Sequence, residues 1–218
     1  MIVLGVIAVI ALGLLLGFVI VQSAFSHRHW RHVIAEGDTP TLLAAVEEAL
    51  ETFRSLRPPR GMPPADWRGL QSAALVAADR DRCRVSVLAE PDIRVIGTER
   101  REIGPAESVG RRIAVRMAER LLYEIPLAHF AAVQVDVYTQ YRSQDGAITT
   151  DCLLTTQLTR DRGAETEWDE QESAAILADW RTRERAPGAA VNPDEHAIIM
   201  PGPPPSEPPP DPPRSDTP

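Results

Sequence analysis

The sequence predicts an α+β protein in three unlike parts. A single N-terminal transmembrane helix leads into a small domain whose helices pack on a mainly antiparallel sheet, and a disordered Pro-rich tail follows. Three observations carry this reading. Residues 2–22, IVLGVIAVIALGLLLGFVIVQ, hold no charged side chain. Two runs of alternating hydrophobicity flank an Asp-Gly pair, which signals a hairpin. The chain closes on PGPPPSEPPPDPPRSDTP, which can build neither helix nor sheet. These shifts divide the chain into an anchor (1–23), a juxtamembrane segment (24–39), a soluble domain (40–185) and a tail (186–218).

The anchor comes first. About 20 apolar residues rising 1.5 Å each match the ~30 Å hydrocarbon core of a bilayer. A secretory h-region spans only about 7–15 residues and follows a basic n-region, whereas no basic side chain precedes this run. The segment therefore reads as a retained signal-anchor. Gly13 and Gly17 form a GxxxG, a spacing that brings membrane helices together, although glycine is common in such helices.

SHRHWRH comes directly after the run. Trp30 suits the headgroup belt, and Arg28 and Arg31 suit an anionic leaflet. Basic residues flank the run only on its C-terminal side, so the positive-inside rule places the soluble domain in the cytoplasm. His27, His29 and His32 are the candidate metal ligands. With no carboxylate or thiol beside them, they read as part of the interfacial flank.

Within the domain, Asp38-Thr39-Pro40 starts a helix that runs to about Leu56, with Leu42, Val46, Leu50 and Phe53 on one stripe. RPPRGMPP ends it. LQSAALVAAD fits either helix or strand, and the DRDR after it suggests a hairpin into CRVSVLA. There Cys83, Val85 and Val87 share one face and Arg84 and Ser86 the other. IRVIG is a further short strand. Pro105 opens the clearest helix, with Val109, Ile113, Met117 and Leu121 on its apolar stripe; Arg111, Arg112, Arg116 and Arg120 read as its solvated face.

AAVQVDVYTQY and AITTDCLLTTQL then form a hairpin turned at Asp145-Gly146. The register that matches apolar to apolar pairs Val133 with Leu158, Val135 with Thr156, Val137 with Leu154 and Thr139 with Cys152. The other face pairs Gln134 with Gln157, Asp136 with Thr155 and Gln140 with Asp151, and meets water or a partner. A last helix is expected from near Thr166, with Asp169 completing a capping box, Ile176, Leu177 and Trp180 as anchors, and Arg181, Arg183 and Arg185 at its end. In the tail, His196–Met200 (HAIIM) is an apolar island suited to an added edge strand or a docking peptide. Pro209, Pro212 and Arg214 fit a PxxPxR pattern, an easy chance match in so proline-dense a stretch.

Composition removes several chemistries. The net charge of −8 does not favour nucleic acid as a partner. All 23 basic residues are Arg, so no Schiff base, P-loop lysine or lysine base exists. No GxGxxG or zinc-spaced Cys pair occurs, and no cofactor is expected. Two cysteines, Cys83 and Cys152, read as buried free thiols. AESVG around Ser108 lacks the preceding strand that a nucleophile elbow needs.

Two functions remain. The first is a noncatalytic interaction or assembly module at the cytoplasmic membrane face, anchored in the bilayer and bound to a protein partner or to itself. The second is a membrane-tethered hydrolase or divergent nuclease using the polar face of the 131–158 hairpin. Its candidate catalytic residues are Asp136, Tyr138 and Asp151. At about 3.4 Å per residue the expected register separates the two carboxylates by roughly 13 Å, too far to share an ion.

Overall fold

In a computed structural model of the chain, the described residues are 39–126, 128–142, 145–186 and 189–202. The expected anchor, the SHRHWRH flank and residues 203–218 lie outside them. Among the described residues no helix is long and apolar enough to cross a membrane.

The first two helical periodicities fold as expected. α1 spans Thr39–Ser55, and Leu42, Val46, Leu50 and Phe53 are all buried. The ambiguous LQSAALVAAD divides between both readings: α2 spans Pro64–Gln71 and β1 spans Ala74–Ala78. β2, Arg82–Leu88, returns beside β1 through a turn in which the Asp79 carboxylate accepts the N–H groups of Asp81 and Arg82, at 3.0 and 2.7 Å. β3 (Asp92–Ile96) and β4 (Glu99–Gly104) form a separate hairpin turned at Gly97, whose φ of 68° suits glycine. α3, Ala106–Tyr123, buries Val109, Ile113, Met117 and Leu121.

β5 (Ala132–Arg142) and β6 (Ile148–Thr159) are the expected hairpin. After them come α4 (Arg160–Ala164), α5 (Ser173–Asp179) and β7 (Arg181–Glu184). The five-stranded sheet has the order β1-β2-β5-β6-β7. It is mixed: β2 and β5 run parallel, and the other pairs are antiparallel. A parallel pair needs a long crossover, which the β3–β4 hairpin and α3 supply. α3 packs on β2, β5 and β6, α2 packs on α3, and α1 packs on α2 and β1. One apolar core holds these helices against Val85, Val133, Val135 and Val137.

Three expectations need correction. The hairpin register holds from Val133–Leu158 to Val137–Leu154 and then shifts by one residue, so Tyr138 pairs with Cys152, Thr139 with Asp151 and Gln140 with Thr150. A bulge at Leu153 absorbs the extra residue. Both Leu153 and Leu154 are buried, and a Cβ added at Gly110 of α3 would meet both Val137 and Leu153. Burying two adjacent leucines in one core is what the bulge achieves.

The expected last helix exists only as the short α5. Residues 181–184 are instead an edge strand paired with β6. Thr166 caps nothing. Its hydroxyl donates to the Arg162 carbonyl (3.0 Å) and accepts Trp180 Nε1–H (3.3 Å). Trp168 packs edge-on against Tyr123 and Trp180, with ring centroids 6.0 and 5.6 Å apart. Packing the half-buried Trp168 on the buried Trp180 outweighs the weak helix preference of the acidic stretch.

The arginines of α3 are less solvated than their spacing suggests. Arg112 makes a fork of bonds to the buried Asp66 of α2 (2.7 and 2.6 Å). Arg111 does the same to Glu184 of β7 (2.9 and 2.6 Å). The Arg120 guanidinium lies over the rings of Phe53 and Trp67, 5.0 and 5.7 Å from their centroids. These contacts tie α3 to three neighbouring elements.

Candidate functional site

Alternation along β2, β5, β6 and β7 puts the polar residues on the sheet face away from α3. At its centre Arg84 of β2 and Asp136 of β5 are both fully buried, with side chains 2% and 0% exposed. Arg84 Nε donates to Asp136 Oδ2 at 2.7 Å. Asp136 Oδ1 accepts from Thr155 Oγ1 at 2.6 Å and from Gln134 Nε2 at 2.9 Å. The carboxylate thus accepts from donors on three strands. Burial works against the Arg84 charge, but the bonds to Asp136 and Asp194 outweigh it and raise its pKa above the ordinary guanidinium value.

A polar sheet face this dry needs a cover, and the chain supplies its own. Residues 192–199 cross the sheet from β7 to β2 as a strap. An Asn192-Pro193-Asp194-Glu195 turn begins it: Asn192 Oδ1 accepts the Asp194 N–H at 3.0 Å, and the Glu195 N–H returns to the Asn192 carbonyl at 3.3 Å. His196 comes next at φ 62°, a left-handed conformation unusual for a residue with a Cβ. The HAIIM island therefore docks, but across the strands rather than along an edge.

Side chains, not a backbone ladder, hold the strap. Gln157 Nε2 donates to the His196 carbonyl (2.7 Å), Gln134 Nε2 to that of Pro193 (3.1 Å) and Arg82 Nη1 to that of Ile198 (2.6 Å). Arg183 donates to the Glu195 carbonyl, and Gln134 Oε1 accepts the Ile198 N–H at 3.0 Å. Two ion pairs add to these: Arg84 with Asp194 (2.7 Å) and Arg183 with Glu195 (3.1 Å).

The candidate catalytic residues fall into two places. Asp136 and Tyr138 lie on the strap face. Tyr138 is half-buried; burial first, then the Asp136 carboxylate, push its phenol up to about 12. Asp151 does not share that face, because the bulge sets it opposite Thr139, on the α3 side. There it accepts from Tyr141 Oη (3.1 Å) and Arg185 Nη1 (3.2 Å), and Arg185 also reaches Glu107 of α3 (3.1 Å). Asp151, Arg185 and Glu107 line a cleft of about 440 Å³ with Cys152 and Ala189. The expectation that Asp136 and Asp151 share one face is thus overturned by one inserted residue. Among the described residues, no cluster of three His, Cys, Asp or Glu is arranged to hold a metal ion. His27, His29, His32, Arg28, Trp30 and Arg31 lie outside the described residues.

Sequence reasoning placed Gln134, Asp136 and Gln157 on the hairpin's polar face, left open to water or a partner, and Arg84 on the polar side of its own strand; the β2–β5 pairing brings them together. The missed signal is charge complementarity between a strand Arg and a strand Asp, each set in a β-branched run. Arg82, Arg183, Asp194 and Glu195 carry no local signal for this role. Comparisons of the chain with protein-family models, curated proteins and solved structures find no match.

Proposed function

We propose that the chain is a single-pass, membrane-anchored interaction module. Residues 1–23 hold it in the bilayer, the domain sits at the cytoplasmic face, and its work is assembly with a protein partner. Tethering raises the domain's effective concentration near membrane-bound partners. One observation carries the reading: the most polar face of the sheet is spent on holding a polypeptide segment, through bonds to its carbonyls and carboxylates. The hydrolase alternative fares worse on the same geometry. Asp136 has its lone pairs committed to three donors, and Asp151 lies on the opposite face, paired with Arg185.

Capture of the full-length chain from gently solubilised membranes tests this. A protein companion in fixed stoichiometry is the expected result; repeated recovery of the chain alone overturns the assembly role. Protease accessibility in sealed vesicles of both orientations tests the cytoplasmic placement, with digestion of the domain expected only where the cytoplasmic face is outward.

A further inference from the structure

The strap covers a sheet whose strand ladder is complete without it. The bonds to the Asp136 carboxylate, from Arg84 Nε, Gln134 and Thr155, join β2, β5 and β6 without residues 192–199, whereas Arg84 Nη2 donates to the strap's Asp194. The strap itself buries little: Asn192, Asp194, Glu195 and His196 are exposed, and Ala197, Ile198 and Ile199 are only half-buried. Its backbone makes no ladder with any strand. What holds it is a line of donors, from Arg183 on β7 through Gln157 and Gln134 to Arg82 and Arg84 on β2. Such a line reads the backbone of a peptide, and its arginines read acid.

Resting on the interaction-module reading above, we propose that this face is a peptide-recognition site and that residues 192–199 are its resident occupant. The partner's segment has the same chemistry: an acidic turn, with one carboxylate on Arg84 and the next on Arg183, then two or three small or aliphatic residues. Charge complementarity selects the acidic pair. Arg84 is 2% exposed beneath a strap carboxylate, and Arg183 flanks the next one. The carbonyl donors set the direction and spacing of the aliphatic residues after the turn. Partner binding then means exchange of one such segment for another. The displaced strap stays tethered beside the site, and its competition sets how strongly a partner must bind.

The test uses the full-length chain in detergent micelles and a fluorescent synthetic peptide of residues 189–202. Two variants release the strap by different means. Asp194→Ala with Glu195→Ala removes its carboxylates. Ile198→Pro removes the N–H that Gln134 accepts. Hydrogen exchange over residues 192–199 reports release, and fluorescence anisotropy reports peptide binding. Both variants are expected to exchange faster there than wild type and to bind the peptide roughly tenfold or more tightly, a factor worth about 1.4 kcal/mol. Arg183→Ala added to Ile198→Pro is expected to cost about tenfold in peptide affinity, as is a peptide with Asn and Gln in place of its Asp and Glu.

A released strap with no peptide binding overturns the proposal, and so does equal binding of the acid and amide peptides. A strap still protected in both variants overturns it too, because the segment is then a fixed part of the fold. A wild-type chain that exchanges straps between copies and runs as a dimer overturns the assignment to a different partner protein. None of these outcomes touches membrane attachment or the captured companion, so failure here is distinguishable from failure of the module reading.

Discussion

Asp136 is a point of strong local dependence in the sheet. Its carboxylate is completely buried and receives three donors, one of them a buried guanidinium. Asp136→Ala strands Arg84 in the sheet with only the exposed Asp194 as a counter-charge. Breaking a buried pair from one side costs about 3–5 kcal/mol, so a clear drop in the urea midpoint is expected, and an unchanged midpoint would contradict the dry network. Cys83, Cys152 and Tyr138 make a second prediction. Burial comes first among the causes that push both thiols from 9.0 up to about 12, and the phenol from 10.0 up to about 12. The folded state keeps these groups protonated, whereas the unfolded chain releases their protons at the lower values. Stability is therefore full below pH about 9 and falls as pH rises toward about 12. Denaturant midpoints across that range should decline, less steeply in Cys83→Ala. At neutral pH the fully buried Cys83 should react with thiol reagents only as fast as the fold opens.

Elements meet at close approaches that only small residues allow. Gly69 of α2 faces Ile113 of α3: an added Cβ would lie 2.0 Å from Ile113 Cδ1 and 3.0 Å from the Leu88 carbonyl oxygen. Ile113 is completely buried and has little room to yield. Gly69→Ala is expected to destabilise by roughly 1–3 kcal/mol through overpacking. Ile113→Val removes the offending methyl, so the same glycine change should cost less in that background, and a double-mutant cycle by chemical denaturation measures the difference. At this scale most of the domain was legible. The stripes of α1 and α3, the turn at Asp145-Gly146 and the pairing from Val133 to Val137 all arise from local periodicity. The single-residue shift beyond Val137 does not, since the need to bury Leu153 beside Leu154 arises only once α3 lies above them. Nor was β7 legible. Arg181–Glu184 carries charge suited to a helix end, and the exposed edge of β6 recruits it as a strand.

On the scale of the whole molecule, an apolar run, a charged domain and a Pro-rich end share one chain, and their separation underlies the anchored-module proposal. Full-length protein is expected to remain in the membrane pellet after alkaline carbonate washing and to come free only in detergent. Release by carbonate would remove the anchor from the account. The candidate site was half legible at this scale. Alternation placed Arg84 on the polar side of its strand and Gln134 and Asp136 on the polar side of the hairpin; the parallel β2–β5 pairing joined them into one face. That the face is covered, and by what, depended on a segment 110 residues from Arg84.

By itself the sequence determined the apolar stripes of α1 and α3, the β5–β6 hairpin with its turn, and which side of those strands is apolar. Periodicity and turn chemistry act over a handful of residues and need no knowledge of the rest. Only the tertiary structure decided which strands run parallel, where the hairpin bulges, which face Asp151 takes, and that the polar face is closed by a strap. Those outcomes turn on burial, and burial is a property of whatever packs above a residue. Arg84 and Asp136 lie 52 residues apart, and no pattern within either strand announces that one will neutralise the other in the dark.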